Sequence, residues 1–299
     1  MSKKVLAIYY SQTGQLRDII DNFCAPLIEN GIAVEKVKVT LKNEYAFPWT
    51  VNSFFNVMPD CVLGKTAELS HFELKESSYD LIILGYQPWF LSPSIPVNSL
   101  LHDPIFRKVL KNTPVITITC ARNMWINAYK EVEKLLVETG SIQVGNIALV
   151  DRHLNVLSFV TIFHWMIHGK KDKYLNVFPK PGVSDEDIAN VSVFGKKALP
   201  HLVNGNWEGM EAELLEKNAV DLKYHLMFIE SKAGPMFKLW AKFIVKRKNK
   251  SFWIAVYKYY LIIAFFVAAP IVYVIDIILF KPFFSKYVRS KKQSLLKLN

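Results

Sequence analysis

The feature that most constrains the fold is an alternation of short strand-like runs with helix-like segments over the first 150 residues. The strand-like runs are residues 5–10 (VLAIYY), 33–39, 79–86, 113–120 and 144–150, and helical spacing occurs at 15–31, 96–111 and 124–139. Apolar strands that alternate with helices are typical of a parallel sheet covered on both faces. The pattern therefore predicts an α/β fold, a doubly wound five-stranded parallel sheet, over residues 1–152.

An elaborated loop is predicted between the second and third strands, over residues 41–72. Aromatic residues crowd the stretch from Tyr45 to Phe55, and the segment contains FPW and MPD triplets. Proline is poorly tolerated inside a helix. An ordinary crossover helix is therefore not expected here.

A helical extension is predicted over residues 153–230. Residues 155–168 are apolar, with a polar stripe of Ser158, Thr161, His164 and His168, but fourteen residues are too few to span a bilayer, which needs about 20. The segment suits an interfacial or a core helix. The two histidines lack the Glu of a HExxH motif, so we interpret them as part of the polar stripe and predict no metal site.

Two further helices are expected in this extension. Ser184 and Asp187 have the spacing of a capping box, which predicts a helix that runs to about residue 199. Residues 207–230 also have helical spacing and are predicted to form one helix.

The net charge of +11 is concentrated at the C-terminal end. Residues 231–299 contain 14 Lys and Arg but one acid, Asp276, and so carry +13, whereas residues 1–230 carry −2. The basic region also contains the longest apolar run. The expected partner is therefore anionic lipid rather than nucleic acid.

The apolar run covers residues 259–275, is interrupted by Pro270, and has Lys and Arg on both sides. A simple membrane span usually has one strongly basic flank, so a span and a re-entrant or in-plane anchor both remain open. A buried core helix is the third possibility. The basic flanks and the neighbouring Tyr and Trp favour membrane association of a tail formed by residues 231–299.

The cellular compartment is predicted from the cysteines and the N-terminus. Cys24, Cys61 and Cys120 are far apart and odd in number, which indicates neither a disulfide framework nor a zinc site. The N-terminal apolar run is only one strand long and lacks a cleavage-type ending. We expect a cytoplasmic protein at the inner face of the cytoplasmic membrane.

A hydroxyl-rich turn follows the first strand, in the stretch IYYSQTGQLRD at residues 8–18. Ser11 and Thr13 can donate hydroxyl hydrogen bonds, and Gly14 lets the backbone approach a ligand where a helix begins. Backbone N–H groups at such a turn bind phosphate. A single glycine without lysine argues against dinucleotide and P-loop sites and favours a mononucleotide, although an ordinary capped turn has the same composition.

Two other strand ends meet this turn at the switch point of the predicted sheet. The third strand is followed by QPWFLSP, whose Trp89 and Phe90 offer a stacking surface, and the fourth by small and polar residues. Together these features predict an FMN site. The residues expected to bind FMN are Ser11, Gln12, Thr13, Gly14, Gln15, Leu16, Pro88, Trp89, Phe90, Leu91, Thr119, Cys120, Ala121, Arg122 and Asn123.

The stretches YYSQTGQL and LIILGYQPWFLSPSIPVNSLL are similar to the phosphate loop and the isoalloxazine-covering loop of flavodoxins and related quinone reductases. Many flavodoxins have a further Thr where this chain has Leu16. Most of the chain also resembles the Bacteroidetes family called dialkylresorcinol condensing enzymes. That likeness rests on VLAIYYSQTGQL, FPW, QPWFLSPSIP, VITITCARNMW and VGNIALVDR as a set.

The family resemblance implies an aromatase. In aryl-polyene and flexirubin-type pigment synthesis, a partner ketosynthase supplies a dialkylcyclohexane-1,3-dione, and the family member oxidises it to a dialkylresorcinol with a flavin. Arg122 is then expected to stabilise an enolate, and His102 or His153 to carry a proton, although each can equally be a surface or ordinary polar residue. The alternatives are a membrane-docked FMN-dependent NAD(P)H:quinone reductase and a flavin-free scaffold for the ketosynthase.

Overall fold

The structure is a computed structural model, and it describes residues 3–275 and residue 278. Its main sheet has five strands, β1 (Lys4–Tyr9), β2 (Ala33–Lys38), β3 (Leu81–Tyr86), β4 (Pro114–Ala121) and β5 (Ile142–Val150). They lie in the order β2-β1-β3-β4-β5, and every neighbouring pair is parallel. This is the flavodoxin-like order, with a switch point between β1 and β3. The predicted fold class is confirmed.

The helices surround this sheet and continue beyond it. They are α1 (Gln15–Glu29), α2 (Val51–Asn56), α3 (Met58–Val62), α4 (Ile95–His102), α5 (Pro104–Leu110), α6 (Ile126–Glu138), α7 (Asn155–His168), α8 (Asp185–Asn190), α9 (Ser192–Asn204), α10 (Met210–Glu216), α11 (Tyr224–Val245) and α12 (Lys250–Ile275). A π-helical turn at Ala264–Ala268 interrupts the regular spacing of α12.

Alternate strand residues pack against helices on the two faces of the sheet. On one face, Ile19, Ile20 and Phe23 of α1 lie fully buried in a cluster with residues of β1, β3, β4 and β5. The other face carries α4, α5 and α6. Each fully buried side chain of this size contributes roughly 1.5–3 kcal/mol. This packing fixes α1, and with it the turn that precedes α1.

The segment after β5 shares the core of the sheet rather than standing apart from it. Helices α8, α9 and α10 pack in the same cluster as α1, and a Cβ atom on Gly195 of α9 would lie 2.1 Å from the carbonyl oxygen of Phe23. Ala219 accepts a backbone hydrogen bond from Ala148 at 2.8 Å, which extends the edge of β5. As predicted, the Ser184 hydroxyl caps α8 by accepting from the N–H of Asp187 at 3.0 Å. The helix predicted to run to about residue 199 is instead divided into α8 and α9, and α9 ends at Asn204.

The predicted single helix over 207–230 is wrong. The chain forms α10, breaks at Asn218 with a φ of 56°, runs along the sheet edge, and then forms α11. The sheet edge offers backbone hydrogen bonds that a continuous helix would leave unmade.

The aromatic loop, residues 41–72, forms α2 and α3 and packs under α11 and α12. Phe55 and Met58 lie in one buried cluster with Ala241, Ile244 and Tyr257. The α11 helix thereby connects the loop to the C-terminal part of the chain.

Helix α12 is long and apolar enough, by length and composition, to cross a membrane, and its apolar window is not buried by the described residues. Its exposed apolar side chains include Ile263, Phe266, Val267 and Ile271. Of the tail predicted to bind membrane, residues 276, 277 and 279–299 lie outside the described residues.

Candidate functional site

A cavity of about 350 Å³ lies at the carboxyl ends of β1, β3 and β4. Most of the residues predicted to bind FMN line it together, namely Gln12, Thr13, Gln15, Pro88, Trp89, Phe90, Leu91, Cys120, Ala121, Arg122 and Asn123. Its volume is in the range of small-molecule sites, about 300–1,000 Å³. We call it the switch-point cavity.

Four residues in that prediction do not line the cavity. The Leu16 side chain is buried in the core, and the Thr119 hydroxyl donates to the carbonyl oxygen of Tyr86 at 3.3 Å inside the sheet. Ser11 accepts from the N–H of Arg17 at 3.3 Å, and Gly14 is the N-cap residue before α1, with a φ of 88°. Thr119 is therefore placed as a structural residue, while Gly14 and Leu16 can serve a ligand only through the backbone.

The turn before α1 leaves its backbone donors available. Within residues 3–275 and 278, nothing accepts a hydrogen bond from the N–H groups of residues 12–16, and the Thr13 hydroxyl has no partner. Successive free N–H groups at a helix N-terminus attract an anion through the helix dipole. The turn is suited to a phosphate group.

The two glutamine side chains of the turn are held by the protein. Gln12 accepts from the Trp49 indole N–H at 2.9 Å. Gln15 donates to the Val183 carbonyl at 3.0 Å and accepts from the Val183 N–H at 3.2 Å and from the Cys120 thiol at 3.3 Å. Their role is to fix the turn against the aromatic loop and residues 182–183.

A short hairpin after β3 forms the aromatic wall of the cavity. Its two central residues, Phe90 and Leu91, both have positive φ, 48° and 62°. Asn and Gly usually occupy such positions, and bulky side chains are strained there by about 1–3 kcal/mol each. Trp89 packs edge-on against Trp49 at 5.5 Å, and Phe90 packs against Phe54 at 4.7 Å. The hairpin holds two rings at the cavity despite its backbone strain.

Arg122 places a positive charge at the cavity. Its Nη1 donates to the carbonyl and side-chain oxygens of Asn155 at 3.1 and 2.6 Å, and its guanidinium lies 5.3 Å from the Phe265 ring centroid. Among the described residues no carboxylate is within ion-pair distance of it. Burial lowers the pKa of Arg122 to about 10, against the opposing effect of Asp151. Arg122 is thus charged at neutral pH and suited to an anionic ligand.

Cys120 is a buried thiol rather than a nucleophile. Burial raises its pKa to about 12, so the thiolate is scarce at neutral pH. Burial also raises the pKa of Cys24 to about 12. His164 and His168 stack at 4.3 Å, and no group of three potential metal ligands is found in the described part of the chain.

The structure places the two candidate proton carriers, His102 and His153, at different sites. His102 lies exposed at the end of α4, its Nδ1 2.7 Å from the Asn98 carbonyl. It lines neither the switch-point cavity nor the neighbouring cavity, which lies between the end of β5, α7, α11 and α12. His153 lines the neighbouring cavity, with Nδ1 2.6 Å from Oδ1 of buried Asp151. The other Asp151 oxygen accepts from the Gly182 N–H at 3.1 Å. Asp151 therefore orients His153, a role that the sequence reasoning missed.

The roof of the switch-point cavity is formed by the C-terminal helices, which sequence reasoning did not place there. The roof residues include Asn155, Phe159 and Phe163 of α7, Ile229 and Phe237 of α11, and Tyr260, Leu261 and Phe265 of α12. The sequence feature that pointed to this roof was the apolar composition of its helices. The candidate membrane helix therefore contributes directly to the cavity.

No family model and no curated protein matches the chain. Among solved structures, it is similar to a flavoprotein from Lactobacillus acidophilus in complex with FMN, at 18% identity over 49% of this chain and 93% of the other, with a TM-score of 0.39. An archaeal flavodoxin matches at 10% identity, 67% and 99% coverage and a TM-score of 0.38. An oxidised flavodoxin from Bacillus cereus matches at 15% identity, 67% and 99% coverage and a TM-score of 0.34. These likenesses concern the fold alone, and the resemblance to dialkylresorcinol condensing enzymes stays a prediction.

Proposed function

We propose that the chain is an FMN-dependent oxidoreductase that works at a membrane on a lipophilic ring compound. The observation that carries the proposal is the switch-point cavity. It combines two rings on a strained hairpin and a roof from the candidate membrane helix with a turn and a cation that lack, among the described residues, acceptors for the turn's N–H groups and a carboxylate for the cation.

The chain's residues fit FMN in three respects. The N–H groups of residues 12–16 and the Thr13 hydroxyl suit its phosphate, and Trp89 and Phe90 offer flat apolar surfaces for its ring system. The buried Oδ1 atom of Asn123 has no hydrogen-bond donor among the described residues, so it suits a ligand N–H or O–H. When bound, FMN supplies a two-electron, hydride-accepting centre.

The reaction that we propose is the aromatisation of a dialkylcyclohexane-1,3-dione to a dialkylresorcinol. Aromatisation removes one hydride equivalent and one proton from the ring, and bound FMN would accept the hydride equivalent. Arg122 holds the enolate oxygen of the acidic dione through guanidinium N–H groups that no described residue accepts from. His153, oriented by Asp151, accepts a proton on the side of the neighbouring cavity.

A membrane location suits such a substrate. The α12 helix has apolar residues on its exposed side and cavity-lining residues on the other. A product with two alkyl chains belongs in lipid, and an enzyme docked there avoids a transfer through water. The ketosynthase that makes the dione is the expected protein partner.

The decisive experiment uses the full-length chain purified in detergent and reconstituted with FMN. The proposal expects a flavin absorption spectrum, and anaerobic addition of the dione without NAD(P)H should bleach the flavin and form one resorcinol per flavin. Bleaching only by NAD(P)H, with reoxidation by a quinone, would identify the quinone reductase instead. A chain that takes up no FMN would be the flavin-free scaffold.

A further inference from the structure

We infer that a second cavity beside the switch-point cavity is a chamber for one alkyl chain of the substrate. This inference rests on the proposed function, since it assigns the ring of the same substrate to the switch-point cavity. The chamber has a volume of about 610 Å³ and lies between the end of β5, α7, α11 and α12. Apolar side chains, among them Trp125, Leu157, Leu226 and Met227, form most of its wall.

The two buried carboxylates of the chamber, Asp151 and Glu230, are paired with the protein, whereas Asp221 is exposed and Lys223 half-buried. Asp151 is occupied by His153 and Gly182. Oε1 of Glu230 accepts from the backbone N–H of Asn127 at 2.7 Å. An apolar chain therefore suits this wall better than an ionic ligand.

The two cavities share a wall, which orients the ligand. Asn123, Asn155, Ile229 and Phe265 line both cavities. Asn123 Oδ1 lacks a donor among the described residues and can accept from a ring hydroxyl, while Asn155 holds Arg122 beside it. A ring bound at this wall directs one substituent past Ile229 and Phe265 into the chamber.

The chamber also adjoins the lipid-facing side of the chain. Phe265, Pro270 and Tyr273 of α12 line it, while Phe266 and Ile271 of the same helix are exposed. A chain that leaves the bilayer along α12 can thus reach the chamber without crossing water. The occupant is the alkyl chain of a membrane-dissolved substrate.

The test measures binding of 5-alkylresorcinols with methyl, pentyl, undecyl and pentadecyl chains to the full chain in amphipol, without and with FMN. Tryptophan fluorescence reports binding, because Trp125 lines the chamber. Affinity should rise up to about three- to fourfold per methylene until the chamber is full, and then level off. Leu157→Trp should weaken undecyl binding at least tenfold and leave methyl binding unchanged.

Two more variants test the assignment of the chamber to an alkyl chain. Val156→Trp, at a chamber residue that is already 41% exposed, should act like Leu157→Trp if the latter does not fold. Leu239→Trp, on the exposed side of α11 and outside both cavities, should change nothing. The chamber does not hold the alkyl chain if affinity is independent of chain length. The same conclusion follows if the chamber variants weaken binding of the methyl and undecyl probes equally. Loss of FMN uptake with the chain-length series intact would overturn the proposed function alone.

Discussion

The side chain of Gln15 pairs with the backbone of Val183 in both directions. Nε2 donates to the carbonyl at 3.0 Å, and Oε1 accepts from the N–H at 3.2 Å. Val183 is 1% exposed, so water cannot replace these bonds. The pair joins the turn before α1 to Val183, which lies 168 positions away along the chain. The turn thus depends on the C-terminal part of the protein for its shape.

Gln15→Leu should lower the free energy of unfolding by about 1–3 kcal/mol, because it leaves the buried N–H of Val183 without a partner and its carbonyl with only Lys171 Nζ at 3.5 Å. Thermal or urea unfolding of the full chain measures this. Gln143→Leu is the matched control, since it removes one partly buried bond to the Glu133 carbonyl at 3.3 Å. That control should cost less than about 1 kcal/mol. Equal losses for the two variants would show that the pairing with Val183 contributes little.

Gly14→Ala tests the turn as a phosphate site. Gly14 has a φ of 88°, and Gly140, the control position, has a φ of 72° with nothing within 4 Å of an added Cβ. Both substitutions should cost about 1–2 kcal/mol of stability through backbone strain. Gly14→Ala should also weaken FMN binding tenfold or more by displacing charge-assisted N–H donors, while Gly140→Ala should not. Quenching of flavin fluorescence measures the affinity; equal FMN affinities in the two variants would contradict a phosphate site at the turn.

The sheet and the part of the switch-point cavity formed by the strand ends could be predicted from the sequence, because both depend on local patterns. Apolar runs such as 79–86 define strands, and strand ends must meet at one edge of a parallel sheet. The aromatic pair Trp89 and Phe90 was predicted in the same way. The hairpin that carries them was not, since Phe90 and Leu91 adopt positive φ against their intrinsic preference.

The cavity roof could not be predicted because it depends on contacts distant in sequence. The run at 259–275 has the composition of a membrane segment, and composition does not show that Tyr260, Leu261 and Phe265 face a cavity. The bond that holds the other oxygen of Asp151 could not be predicted for the same reason, since its donor Gly182 lies 31 residues away. Periodicity reports which residues are apolar but not which surface they meet.

Arg122→Met tests the cation at the cavity. Burying an unpaired charge is costly, so the ligand-free variant should be as stable as the wild type or more stable. Binding of the dione enolate should weaken at least tenfold, because a charge-assisted hydrogen bond contributes about 1.5–3 kcal/mol. Since the pKa of Arg122 is about 10, enolate binding to the wild type should weaken as the pH rises through 10. Calorimetric titration with the dione measures both effects.

The control for this prediction is Arg107→Met. Arg107 donates to the Leu101 carbonyl at 3.1 Å and lines neither cavity. Its loss should leave enolate binding unchanged. An Arg122→Met protein that keeps full affinity would show that the guanidinium faces no ligand anion.

Glu230 should make the protein less stable as the pH rises. Burial raises its pKa to about 7, against the lowering effect of the backbone N–H groups that it accepts from. The folded state therefore binds more protons than the unfolded state between about pH 4.5 and 7, so the free energy of unfolding falls across that interval. The expected loss is of the order of 3 kcal/mol, complete above pH 7. The free energy of unfolding, measured from pH 4 to 8, tests this loss.

Glu230→Gln should remove most of that slope, because the amide has no proton to lose. Glu131→Gln is the control, since Glu131 pairs with Lys238 at the surface at 3.1 Å and joins the same two helices, α6 and α11. The control should keep the slope. A pH profile that is identical in the wild type and Glu230→Gln would assign the titration to another group.

The basic segment before α12 should control attraction to anionic membranes. Lys246, Lys248 and Lys250 are all exposed at the start of the apolar helix. Each lysine near an anionic surface contributes about 1 kcal/mol, so changing all three to Gln should weaken vesicle binding about 100-fold. Cosedimentation with phosphatidylcholine vesicles, with and without phosphatidylglycerol, measures the partition.

The matched control changes Lys108, Lys111 and Lys134 to Gln, three exposed lysines on the α/β body. It removes the same charge and should leave vesicle binding within a few-fold of the wild type, because these residues belong to other elements than the apolar helix. For the wild type, binding to the anionic vesicles should fall with added salt through screening. Binding that is insensitive to both salt and phosphatidylglycerol would mean that insertion of α12 alone, without the basic segment, holds the protein at the membrane.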